Sequence, residues 1–160
     1  MTTPPESAAA EPQIHSTDVP QEDNLGDVRR TVQAVADGFE DTQSIAERTH
    51  RSSRHAGYAI NAAITLGWID AGEEKLAVLE TGRKLLAEKP GSAGERALLR
   101  AAVEGAPVLL LLAPGLLAEA APEKSVLCES IERQSGLSKS TAGRRAQTLL
   151  SWRRQLLEPL

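Results

Sequence analysis

Apolar side chains recur at helical spacing through most of this chain. Val28, Val32, Val35 and Phe39 stand at i, i+4, i+7 and i+11, which predicts an amphipathic helix from about Asn24 to Gly38. Asp41 or Thr42 can cap a short second helix that turns Ile45 and Ala46 inward. After the polar break at Arg51, Ser52 and Ser53, a third helix is expected to Leu66, burying Ala56, Ile60, Ala63 and Ile64. Gly67 suits the residue that ends it. The helical period then lapses. Trp68-Ile69 and Leu76 to Leu79 read as short extended segments around a turn at Gly72, and Thr81 opens another helix closed by Pro90-Gly91.

Beyond Ser92 the pattern is helical again. Ser92 and Glu95 have capping-box spacing, and Ala97, Leu98, Ala101 and Ala102 predict an apolar stripe up to Gly105. Pro107 suits the first turn of a short apolar helix, VLLLLA, stopped by Pro114-Gly115. Burial within the protomer or a dimer interface would each account for that piece. Val126, Leu127, Ser130 and Ile131 mark one more helix, ending at Ser135-Gly136. Ser138 then caps a long final one through about Leu157, with Ala142, Ala146, Leu149 and Leu150 facing a core and Thr141, Arg144, Thr148 and Ser151 turned away. The order predicts an all-α fold with a small β-wing: a winged helix-turn-helix over residues 24–90, a helical connector over 91–121, and a second helix-turn-helix over 122–160.

Residues 1–23 hold four prolines and almost no large apolar side chain, so they are expected to form a disordered acidic arm. Two roles fit such an arm: contacting a partner or competing with DNA for a basic surface, or serving as a solvated tail. The N-terminus lacks the basic and apolar regions of a secretion signal, and the run from Ala106 to Ala118 is too short and too Pro-broken to span a bilayer. A cytoplasmic location and no membrane partner are the expectation.

Charge changes the picture. The formal net charge is −4, but residues 1–25 carry five acids and no Lys or Arg, leaving 18 basic against 17 acidic residues in the remainder. Between Arg133 and Leu157 lie Arg133, Lys139, Arg144, Arg145, Arg153 and Arg154 without a single acid, a local charge of +6. The second helix of a helix-turn-helix puts its N-terminal residues against bases and phosphates. In the first unit these are Arg51, Ser52, Ser53, Arg54, His55 and Tyr58, although Glu40, Asp41 and Glu47 offset the nearby arginines. In the second they are Ser138, Lys139, Ser140, Thr141, Arg144 and Arg145. Lys139, Arg144 and Arg145 would set position on phosphates, while Arg51, Ser53 and Arg54 would add discrimination. Arg153 and Arg154 either extend the patch or complement the helix dipole. The turn at Gly72-Glu73-Glu74 is acidic, so the wing is expected to meet protein rather than enter a groove.

Catalysis and cofactors find little support. His50 and His55 are wrongly spaced for a helical metal pair, and the single Cys128 excludes a multi-Cys zinc site and reads as a small buried residue. The phosphate-cradling Gly-x-x-x-x-Gly-Lys-Ser/Thr loop is absent from the sequence. No cofactor and no metal are expected.

The stretch DTQSIAERTHRSSRHAGYAINAAITLGWID, followed by LAVLETGRKLL, resembles winged-helix modules of prokaryotic restriction and phage-defence proteins, a pattern that transcription regulators share. Ile45-Ala46, Arg54, Tyr58, Ala62-Ala63, Leu66-Gly67, Thr81 and Arg83 carry the resemblance, and LSKSTAGRRAQTLLSWRRQL resembles that family's closing motif. Together these cover about residues 27–157. The resemblance implies a bacterial DNA-binding protein, a regulator or the DNA-reading accessory of a restriction system. The nuclease and ATPase parts often joined to such modules are missing from this sequence. The alternative is a protein-interaction adaptor that recruits a partner enzyme without binding DNA. Duplex DNA is the expected partner, with a homodimer or a partner defence enzyme left open.

Overall fold

The computed structural model describes residues 14–158. Residues 1–13 of the expected acidic arm lie outside them. The fold is mostly helical, with one small antiparallel sheet.

Local chemistry accounts for each boundary. Asn24 caps α1 (Leu25–Ala36) by accepting from the Gly26 and Asp27 N–H groups, and Asp41 caps α2 (Thr42–Thr49) by accepting from Ser44 N–H. His50 ends α2 in the left-handed region at φ 57°, a conformation more often supplied by glycine. Ser52 caps α3 (Ser53–Thr65), and Gly67 follows at φ 80°. Strands β1 (Ile69–Ala71) and β2 (Leu76–Val78) pair antiparallel, Ile69 opposite Val78 and Ala71 opposite Leu76. The hairpin is tied back to the body where Leu76 N–H donates to Glu40 O and Lys75 pairs with Glu40 at 3.3 Å.

Helix α4 (Glu80–Ala87) is followed by α5 (Ala93–Gly105), whose cap joins Ser92 Oγ to Glu95 N–H. Pro107 opens α6 (Pro107–Leu112). α7 (Lys124–Ser135) ends on Gly136 at φ 74°, and Ser138 caps α8 (Lys139–Leu157). α7 and α8 share the most extensive helix–helix interface. No helix among the described residues is long and apolar enough to cross a membrane.

The core is continuous from end to end. Val28, Val32, Ile45, Ala56, Ala63 and Ile69 form its first part, and Leu127, Ile131, Ala142, Leu149 and Trp152 its second. Two expectations need correction. In α5 the buried residues are Leu99 and Val103, whereas Ala97 and Ala101 are exposed and Leu98 and Ala102 half-buried. Cys128 is half-buried, its thiol directed to Lys139 O.

The largest correction concerns residues 14–23, which were expected to be disordered. They form an ordered strap that contains a 3₁₀ turn at Ser16–Asp18. Val19 and Ile14 are buried in the common core, and Glu22 is buried as well. Ile14 N–H donates to Gln134 O, the Trp152 indole N–H to Glu22 O at 2.7 Å, and Thr65 Oγ1 to Asp18 O. Few apolar residues were enough here, because the two that matter enter a core built by other elements and the backbone finds its partners there.

Candidate nucleic-acid interface

Helices α3 and α8 both open with serine caps followed by polar and cationic residues. At the start of α3, Ser52 Oγ accepts from His55 N–H and lies 2.8 Å from His55 Nδ1. Ser53 Oγ donates to Gln43 on α2. At the start of α8, Ser138 Oγ accepts from Thr141 N–H and donates to Thr141 Oγ1. These hydroxyls therefore shape the helix termini, while Ser52, Ser53, Ser138, Lys139 and Ser140 all remain exposed.

The arginines divide sharply. Arg51 pairs with Glu22 of the strap at 2.7 Å, and both side chains are largely buried. Arg145 is half-buried and donates from one Nη to both Ser16 O and Val19 O at 3.0 Å. Burial pulls its guanidinium below the usual arginine range; Tyr58 opposes the shift and the Arg144 charge adds to it. The group stays cationic at neutral pH, because arginine does not deprotonate in proteins. Arg153 donates to Leu116 O, Ala118 O and Glu119 O, and so holds the turn after α6. One arginine of each pair in the final helix, Arg145 and Arg153, thus serves the fold, which corrects the expectation that Arg145 is a free phosphate contact. Their acceptors are neutral carbonyls, so the positive charge is not cancelled.

Arg54 and Arg144 behave differently. Both are exposed, and neither forms an ion pair among the described residues. Arg54 Nε–H donates to Tyr58 Oη at 2.6 Å, with the guanidinium carbon 5.8 Å from the ring centroid. His55 meets Tyr58 edge-on at 5.8 Å. Among the described residues the Arg144 side chain makes only a 3.4 Å contact, from Nη2 to Thr141 Oγ1.

The two sets converge. A cleft of about 480 Å³ is lined by Arg54, His55 and Tyr58 from α3, by Arg144, Arg145, Gln147 and Thr148 from α8, and by Gln21 and Asp23 from the strap. Sequence reasoning nominated five of these residues on two separate units and missed that they share one cleft. It also turned Thr148 toward solvent. Thr148 is buried, and its hydroxyl donates to Asp23 Oδ1 at 2.5 Å. The structure places Arg51, Ser52, Ser53, Ser138, Lys139, Ser140 and Thr141 outside the cleft lining. No protein-family model, curated protein or solved structure matches the chain.

Proposed function

We propose that the chain binds duplex DNA, as a transcription regulator or as the DNA-reading accessory of a restriction or phage-defence system. In this reading α2–α3 with the β-hairpin form a winged helix-turn-helix, and α7–α8 form a second helix-turn-helix behind the connector. Short connections join each helix pair, and in each the second helix opens on a serine cap with cations in its first turns. The resemblance to winged-helix modules over residues 27–157 supports the same assignment.

One observation carries the reading. Arg54 and Arg144, on two helices remote in sequence, are exposed without an acidic partner among the described residues and line the same cleft. Phosphate contact is the natural use of such cations, and Lys139 at the first position of α8 extends the positive surface. The test is gel-shift titration of a mixed-sequence duplex over a salt series. Wild-type affinity should fall steeply with salt. Arg144→Ala should weaken binding evenly across sequences and reduce the salt slope by about one. Binding by that variant with unaltered affinity and slope would reject the assignment. Selection from a random duplex pool then separates base readout from shape readout.

A second reading, the adaptor, is favoured by Leu110, Leu111 and Val126, which are each more than half exposed on α6 and α7. It predicts no salt-dependent duplex binding, together with a concentration-dependent mass in light scattering.

A further inference from the structure

We infer that the cleft between α3 and α8 is a clamp for one phosphate group, held from both helices at once. The inference rests on the DNA reading only for the source of the phosphate; the chemistry it names is the phosphate group itself.

The donors are arranged for an acceptor that no other described residue provides. Arg54 commits its Nε–H to Tyr58 Oη, which fixes the guanidinium and leaves its two Nη groups available. Because Tyr58 Oη accepts that bond, its own hydrogen remains to be donated. His55 follows similar logic: a Ser52 O–H donated to Nδ1 leaves the neutral ring's hydrogen on Nε2. Arg144 contributes a second guanidinium from the opposite wall, tethered only by its long contact to Thr141. Arg145 stands beside it with one Nη given to strap carbonyls, and adds its charge to the lining.

Asp23 is the opposing carboxylate. One of its oxygens is engaged by Thr148, and against three arginines it leaves the lining at about +2 with histidine neutral. A planar carboxylate would satisfy one guanidinium. A phosphate, with several oxygens at tetrahedral angles, can accept from Arg54, Tyr58 and Arg144 together. Stacking of a base is a poorer match, because Tyr58 already has Arg54 over its ring and His55 packed perpendicular to it.

The phosphate can come from a nucleic-acid backbone or from a small phosphorylated molecule, and the experiment separates the two. The full chain is titrated with inorganic phosphate, with a nucleoside monophosphate and with a mixed-sequence duplex, each at constant ionic strength. Wild type, Arg54→Ala, Arg144→Ala and the double variant are compared, with binding followed by NMR and by gel shift. Both arginines are exposed, so these variants should fold, which the NMR spectra also report. If both hold one phosphate, each single change should weaken binding about tenfold, and the double variant should lose far less than the hundredfold expected of independent contacts. Tyr58→Phe should weaken the same ligand severalfold. Duplex binding with losses that simply multiply would overturn the clamp and leave the DNA reading standing. Coupled losses for inorganic phosphate or the monophosphate, without duplex binding, would support the clamp and reject the DNA reading. Equal behaviour of all variants toward every probe would overturn both.

Discussion

Arg29 lies on α1 beside the buried valines, and it is itself buried. Its guanidinium meets Glu95 Oε2 at 2.5 Å and donates to Leu85 O, Leu86 O and Glu88 O. One side chain thereby satisfies the carbonyls at the end of α4 and neutralises a carboxylate in the first turn of α5. Arg29→Ala would leave Glu95 Oε2 without its cation and the Leu86 and Glu88 carbonyls without this donor. We expect a loss of about 3–5 kcal/mol, read from the denaturant midpoint; a loss under about 1 kcal/mol would show that the contacts are incidental. Neither this role nor that of Trp152 was legible in the sequence. An arginine beside a valine stripe looks solvated until the elements that bring acceptors to it have been placed.

Among the elements, α8 shows how much a pattern can disclose. Arg145 and Arg153 stand four residues before and after Leu149, which is fully buried, so at about 100° per residue they fall about 40° either side of it. Arg144 and Arg154 fall about 140° away and remain exposed. Counting charges gave a single patch of six, whereas phasing them against the core separates structural from exposed arginines before any coordinates are known. α5 is the opposite case. Apolar residues lie on both sides of that helix, and its buried face is turned by roughly 150° from the centre of the expected stripe. Leu98, Ala101 and Ala102 instead line an open groove with Leu66 and Trp68. Gly82 on α4 was also silent in the sequence. A Cβ there would collide with the Trp68 carbonyl oxygen and crowd Val78 Cγ1, so no side chain fits between α4 and the hairpin. Gly82→Ala should therefore cost at least about 1–3 kcal/mol in thermal or denaturant unfolding, whereas a neutral effect would mean the helix can shift freely.

At the scale of the molecule, the strap joins the ends of the chain. It meets α3 through Thr65, the α2–α3 connection through Arg51, α7 through Gln134, and α8 through Arg145, Thr148 and Trp152. The cleft exists because these attachments hold α3 and α8 on either side of residues 21–23. Arg145→Ala removes two of the bonds without emptying the core, and should cost about 1–3 kcal/mol while speeding amide exchange across residues 14–23. Unchanged exchange there would show that the strap is held by Val19 and Trp152 alone. Arg144→Ala should leave both measurements as in wild type, because that side chain holds nothing in place.

The sequence by itself determined the helices, their caps, the glycine stops and the hairpin. Those depend on neighbours within a few residues, where spacing and cap chemistry act directly. It also determined that cations gather at the starts of α3 and α8. Only the tertiary structure decided that residues 14–23 are ordered, that Arg51, Arg145 and Arg153 are spent on internal acceptors, and that Arg54 and Arg144 face a common cleft. Each of these depends on pairing groups far apart along the chain. The free energy of such a pairing is set by burial and by the acceptors that packing delivers, and neither is written at any single position.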